Sequence, residues 1–120
     1  FDSLVTGMPH VKDGKLRALA VTSPERTALA PDLPAVAETL PGFESVTWFG
    51  IYGPKGMGPE LAGKVNQAVN AALADADVKE RFARLGAEPT GGTSQSFAAM
   101  VKADNAKWKK IISERKITAE

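Results

Sequence analysis

The sequence contains no cysteine. Disulfides, thiolate nucleophiles and thiolate metal sites are therefore excluded, and the redox compartment is left open between cytoplasm and periplasm. Histidine is nearly as scarce. His10 is the only one, beside a proline in a turn region, and without cysteine it has just carboxylates or backbone groups to share a metal with. A catalytic histidine needs a nucleophile and an orienting partner next to it, so His10 reads as an ordinary surface residue, and no catalytic residue or metal ligand is assigned. Excess charge is missing too: the formal net charge is +1, which gives no electrostatic reason to expect nucleic acid or a membrane surface as partner. No apolar run approaches the roughly 20 residues of a membrane helix, and the N-terminus lacks a basic region followed by an apolar one. The chain opens at Phe1 without an initiator methionine, as a processed or truncated product does. It has no internal repeat or low-complexity tract.

What is present is ordinary globular composition. With 120 residues, 43% apolar and 24% charged, the chain can bury one real core but not two, so a two-lobed arrangement requires further sequence. Its most strand-like run lies in the stretch Gly42–Gly58, where Phe43 to Tyr52 carries β-branched and aromatic side chains and few helix formers. Gly50, Gly53, Gly56 and Gly58 fall where a strand bends, meets another backbone or hands over to the next element, and Pro54 removes a ladder donor just past its end. This strand looks like a crossing between two unlike halves, the first place to seek a hinge or a binding cleft.

Upstream of it, Asp2 or Ser3 can cap a short helical turn through Met8, limited by Pro9. Lys12–Lys15 is a turn with Gly14 available for positive φ. Leu16–Thr22, short and almost continuously apolar, predicts a buried strand of a parallel sheet. Ser23–Pro34 is a loop by composition, and Ala35–Leu40 a brief helix closed by Pro41 and Gly42. Downstream the signals are helical. Pro59 and Glu60 suit a helix start, and Leu61, Val65, Ala68, Val69, Ala72 and Leu73 mark one face of a helix to about Ala74. Asp77 and Glu80 have capping-box spacing for a second helix ending at Gly86. Thr93 or Ser94 caps a third, to about Arg115, with Phe97, Val101, Trp108, Ile111 and Ile112 on its inward face. Ala87–Thr90 is a candidate short strand.

Few of these features suggest chemistry. Gly53–Gly58 has the glycine count of a phosphate-cradling loop but lacks the Gly-Lys-Ser/Thr ending, so a plain strand-to-helix turn is the simpler account. The lysines of the last helix are interleaved with Asp104 and Glu114 and lack aromatic companions on the outer face, as a solvated helix face would be. Phe97 and Trp108 sit at core spacing. Trp48 is different, because a strand bordered by Gly50 and Gly53 lets neighbours approach closely, which suits a cleft.

The ordered set Gly14-Lys-Leu-Arg-Ala-Leu-Ala-Val-Thr-Ser, Arg26, Pro31-Asp-Leu-Pro-Ala-Val-Ala-Glu, Pro41-Gly-Phe, Trp48-Phe-Gly, Gly53-Pro-Lys-Gly-Met-Gly-Pro and Lys107-Trp108 resembles the Bug family of bacterial solute-binding proteins, receptors of tripartite tricarboxylate transporters. The resemblance spans essentially the whole chain, with two local departures: Ala35 in place of the usual hydroxyl-bearing residue, and Met57-Gly58 in place of Gly-Thr. It implies an α/β fold, the C-terminal portion of a two-lobed periplasmic-binding-protein fold of type II. Residues 1–41 would end the second lobe, 42–58 form the crossing strand and turn, and 59–120 supply the helical return completing the first lobe. It further implies a periplasmic receptor, not an enzyme, that needs no cofactor and closes on small carboxylates for membrane permease subunits. The implied ligand-binding positions are Asp2 and Ser3, at the tip of a preceding strand, and Trp48 beside the crossing. The grip on the ligand would be incomplete in these 120 residues, and uncovered apolar surface predicts a homodimer. The competing expectation is a self-contained α/β interaction module without a small-molecule site.

Overall fold

The computed structural model describes residues 1–118, which form two compact units. The first comprises Phe1–Tyr52 and Ala74–Pro89; the second comprises Gly53–Leu73 and the chain from Thr90 onward.

In the first unit, helix α1 spans Leu4–Lys12, capped by Ser3. It continues through Pro9, where a turn limited by that proline was expected. Proline at this sixth position forfeits one intrahelical donor, but its fixed φ is helical, and the turns that follow are made from Pro9 and His10 carbonyls to the amides of Asp13, Lys15 and Leu16. Gly14 then takes φ 71°, as the turn requires. The expected strand at Leu16–Thr22 is reduced to a single parallel bridge, Val21 with Ala35. The direction of pairing is the expected one, the extent is not: Leu19 is 74% exposed, so the run is not covered on both faces. Ser45–Tyr52 likewise forms neither helix nor ladder among the described residues, and Ala87–Thr90 is no strand. β-branched and aromatic side chains favour a pleated surface, but a ladder also needs a partner backbone in register. The described residues provide one at Val21 alone.

That bridge marks the core of the unit. Val21, Ala30 and Ala35 are buried, with Leu4, Leu33 and Ala37 packed against them. The Ser23–Pro34 loop folds over it as expected, followed by a 3-10 turn at Val36–Glu38. Helix α3, Ala76–Arg84, completes the unit. Its cap is Asp75, whose Oδ1 accepts the amides of Asp77 and Val78, not Asp77 as the box spacing suggested. Both aspartates fit the local pattern; the one directly before the first helical residue can reach the free amides of the first turn.

The second unit is built from helix α2, Pro59–Ala74, which carries on to its last residue in the first unit, and helix α4, Ser94–Glu114. Thr93 is the α4 cap, accepting the Ser96 amide at 3.0 Å while Ser96 Oγ accepts the Thr93 amide at 3.1 Å. Asn70 clamps the entry to α4 by accepting the Gly92 amide at 2.8 Å and donating to the Gly92 carbonyl at 2.9 Å, where Asn66 also donates. Phe97 and Val101 are half-buried, but Trp108, expected in the core, is 40% exposed, and Ile111 and Ile112 are exposed as well. The spacing on α4 is right for a buried stripe; its second half lacks a covering element among the described residues.

Trp108→Ala should therefore cost about 1–2 kcal/mol in urea melts, short of the roughly 3–5 kcal/mol of a fully enclosed aromatic. A loss at the upper figure would place the indole in a closed core.

Candidate functional site

The positions singled out by the sequence, Asp2, Ser3 and Trp48, all belong to the first unit. Ser3 has extended backbone, φ −77° and ψ 153°, so its carbonyl opens the helix and accepts from the Gly7 amide at 2.8 Å while its Oγ accepts the Thr6 amide at 3.4 Å. Asp2 lies over the same first turn. Its Oδ1 accepts the Thr6 hydroxyl at 2.6 Å and the Ser3 amide at 2.9 Å. The Ser3 and Thr6 hydroxyls are 2.8 Å apart and share a hydrogen bond. Carboxylate and hydroxyls thus form one exposed polar knot on the positive end of α1. The Thr6 hydroxyl above all, and the Ser3 amide after it, hold the Asp2 carboxyl below its ordinary pKa, so it is ionised at neutral pH.

Trp48 reaches the unit through another segment and is half-buried; its neighbour Phe49 is 87% exposed. What fixes both segments is the core at Val21. Leu4, directly after Ser3, packs on that core, and the Ser45 amide donates to the Thr22 carbonyl at 2.9 Å, starting the Trp48 segment beside the bridge. Gly86 seats α1 from the other side. At φ 72° it closes α3, and a Cβ there would lie 3.1 Å from the Leu4 carbonyl carbon and 3.2 Å from the Val5 nitrogen, so only glycine allows this approach.

Two parts of this arrangement escaped the sequence. Thr6 ties Asp2 to Ser3, and the signal for it was a hydroxyl four residues after a carboxylate. Arg26, noticed only as part of a motif, makes a two-pronged ion pair with Glu38, Nε to Oε1 at 2.8 Å and Nη2 to Oε2 at 2.9 Å. Glu38 Oε1 also accepts the Ala35 amide at 2.9 Å, so the pair braces the residue that forms the bridge. Among the described residues no group of three His, Cys, Asp or Glu is placed to hold a metal. The knot presents a fixed anion with two hydroxyls next to it.

Arg26 first, then the Ala35 amide, hold the Glu38 carboxyl below its ordinary pKa. The pair's contribution is therefore complete above the unfolded-state carboxylate value, about 4.3, and disappears as pH falls through the lowered folded value. Glu38→Gln should be less stable than the parent at pH 7, and the gap should close as both are titrated into acid. A gap independent of pH in thermal melts would mean that the ion pair does not carry it.

The family model described as "Tripartite tricarboxylate transporter family receptor" matches residues 1–117. A curated relative, the "UPF0065 protein in tcbD-tcbE intergenic region" of Pseudomonas sp. (strain P51), is 35% identical over 98% of this chain. The chain spans 36% of that relative's length. Among solved structures, "R. palustris Rpa4515 with adipate" superposes with TM-score 0.80 at 33% identity, over 92% of this chain and 37% of that one. "Structure of periplasmic binding protein BugD" gives TM-score 0.78 at 31% identity, over 94% and 39%. The chain therefore has the fold of a portion of a periplasmic binding protein.

Proposed function

Because this chain belongs to the tripartite tricarboxylate transporter receptor family, we propose that it is the C-terminal part of a periplasmic receptor that captures small carboxylates and presents them to membrane permease subunits. The match over residues 1–117 carries this reading, and the adipate in the Rpa4515 structure supports a dicarboxylate-sized solute. In this proposal residues 1–41 end one lobe, 42–58 cross to the other, and 59–120 return to complete it. In this reading the receptor binds and releases its solute without chemistry.

Within the receptor, Trp48 would offer an apolar wall, and Ser3, whose proton goes to the Thr6 hydroxyl while Thr6 donates to Asp2, would accept a hydrogen bond from a ligand donor. Asp2 cannot donate while ionised, and as an anion it repels a ligand carboxylate. Its role is to orient Ser3 through Thr6 and to face a ligand hydroxyl or ammonium group. In the full-length receptor, Asp2→Asn should weaken binding of amino or hydroxy acids about tenfold or more and leave plain dicarboxylates unchanged or bound more tightly. Isothermal titration checks this, and an equal loss for both ligand types would remove Asp2 from that role.

The 120 residues alone enclose too little to bury most of a ligand's surface, as tight small-molecule sites do. Val46, Phe49, Ile51 and Tyr52 are exposed along the proposed crossing, and apolar patches of this kind drive association. We expect a homodimer that exchanges or pairs segments about Ser45–Tyr52 and has no measurable affinity for dicarboxylates or citrate. Light scattering and titration calorimetry test both parts. A monodisperse monomer would refute the dimer, and micromolar carboxylate binding by this chain would overturn the incomplete-site reading.

A further inference from the structure

A single residue separates helices α2 and α3. Helix α2 ends at Ala74, α3 begins at Ala76, and Asp75 between them has extended backbone, φ −62° and ψ 138°. Local propensity gives no reason to stop there, because Ala71, Ala72, Leu73, Ala74 and Ala76 are among the best helix formers and neither glycine nor proline intervenes. One extended residue removes three hydrogen bonds from a continuous helix, here those from the amides of Ala76, Asp77 and Val78 to the carbonyls four residues before. Asp75 replaces two of the three. Its Oδ1 accepts the Asp77 amide at 2.9 Å and the Val78 amide at 3.1 Å, while its own carbonyl accepts the Lys79 amide at 3.0 Å and so begins α3.

The break coincides with the division of the chain, since the boundary between the two units falls between Leu73 and Ala74, in the last turn of α2. A second course is open to the same residues. With Asp75 in helical backbone, residues 59–84 make one helix of about seven turns. The Asp77 and Val78 amides then pass from the Asp75 carboxylate to the Leu73 and Ala74 carbonyls, and the Ala76 amide goes to the Ala72 carbonyl. Two bonds to a carboxylate are exchanged for three to backbone carbonyls, so neither course has a large advantage in hydrogen bonding and the capping side chain decides between them. We propose that Asp75 is a conformational joint, whose side chain holds a broken course against a continuous helix. Every contact in this device lies within residues 59–84, and it does not depend on the ligand site of the first unit. In a receptor it would let the chain switch between two courses at a single residue.

The absence of cysteine from the chain lets a pair of spin labels be introduced without background. Gly63→Cys and Arg81→Cys suit this, because both positions are exposed and five full turns of a continuous helix would put them about 27 Å apart along one side. In double electron–electron resonance, the labelled 120-residue chain with Asp75 intact should show a main distance distinct from that value. Asp75→Asn, which still caps, should keep this distance. Asp75→Ala and Asp75→Glu, which do not, should bring up a population at the continuous-helix distance, about fivefold or more above its share in the parent, the size of a lost N-cap. Glutamate keeps the carboxylate and so separates capping from charge. In hydrogen exchange the Asp77 and Val78 amides should stay protected in both variants, since helix carbonyls receive them. A parent chain already at the continuous-helix distance would overturn the proposal. So would alanine and glutamate variants that both keep the parent distance, or that both lose protection at Asp77 and Val78 without populating the longer helix.

Discussion

The parallel bridge between Val21 and Ala35 is what orders the first unit. Two backbone hydrogen bonds make it, Val21 amide to Pro34 carbonyl and Val36 amide to Val21 carbonyl, both at 2.9 Å. Val21, Ala30 and Ala35 are small, so their burial removes little apolar area from water. The backbone pairing and the Arg26–Glu38 brace around it therefore matter more here than in a domain with a large aliphatic core. Everything that positions Ser3 and the Trp48 segment traces back to this point, through Leu4 on one side and the Thr22–Ser45 hydrogen bond on the other.

The second unit obeys a different logic. A helix satisfies its interior backbone groups by itself, and only the first and last turns need outside help. In α4 that help is local and polar. Thr93 and Ser96 exchange hydrogen bonds, and Asn66 and Asn70 hold the Gly92 peptide against α2. Gly91 and Gly92 adopt φ 61° and 119°, and a Cβ on Gly91 would lie 2.5 Å from Asn70 Oδ1. Two glycines that would otherwise be a flexible joint are thus built into a rigid entry.

The difference between the units explains what could be read beforehand. Helices α2 and α4 were legible almost to the residue because periodicity, Pro59 and Thr93 are local signals that operate without the rest of the protein. The Leu16–Thr22 and Ser45–Tyr52 strands were not, since local propensity does not contain the partner that a ladder needs. Trp108 shows the same limit in helical form: its spacing is that of a core residue, and exposure depends on what covers it. At the candidate site, Ser3 could be seen as a cap, but Thr6 and Glu38 act through side-chain geometry that no motif encodes. The family resemblance drew on motif order across the chain and so survived the loss of individual strands.

Charge shows how a chain-wide count misleads in the same way. The +1 total gives no electrostatic reason to expect an anionic partner, yet screening limits the reach of each charge to about 8–10 Å in physiological salt. A partner therefore meets a local set of side chains, never the sum. At the start of α1 that set is one ionised carboxylate held by two hydroxyl-bearing residues; at the end of α4 it is five cations against one carboxylate over eleven residues. The helix dipole adds to this at the helix ends alone: its positive end favours Asp2, and its negative end favours Arg115 and Lys116 just past the last helical residue, while Lys107, Lys109 and Lys110 lie before the last turn. An almost neutral chain thus keeps two exposed regions of opposite sign.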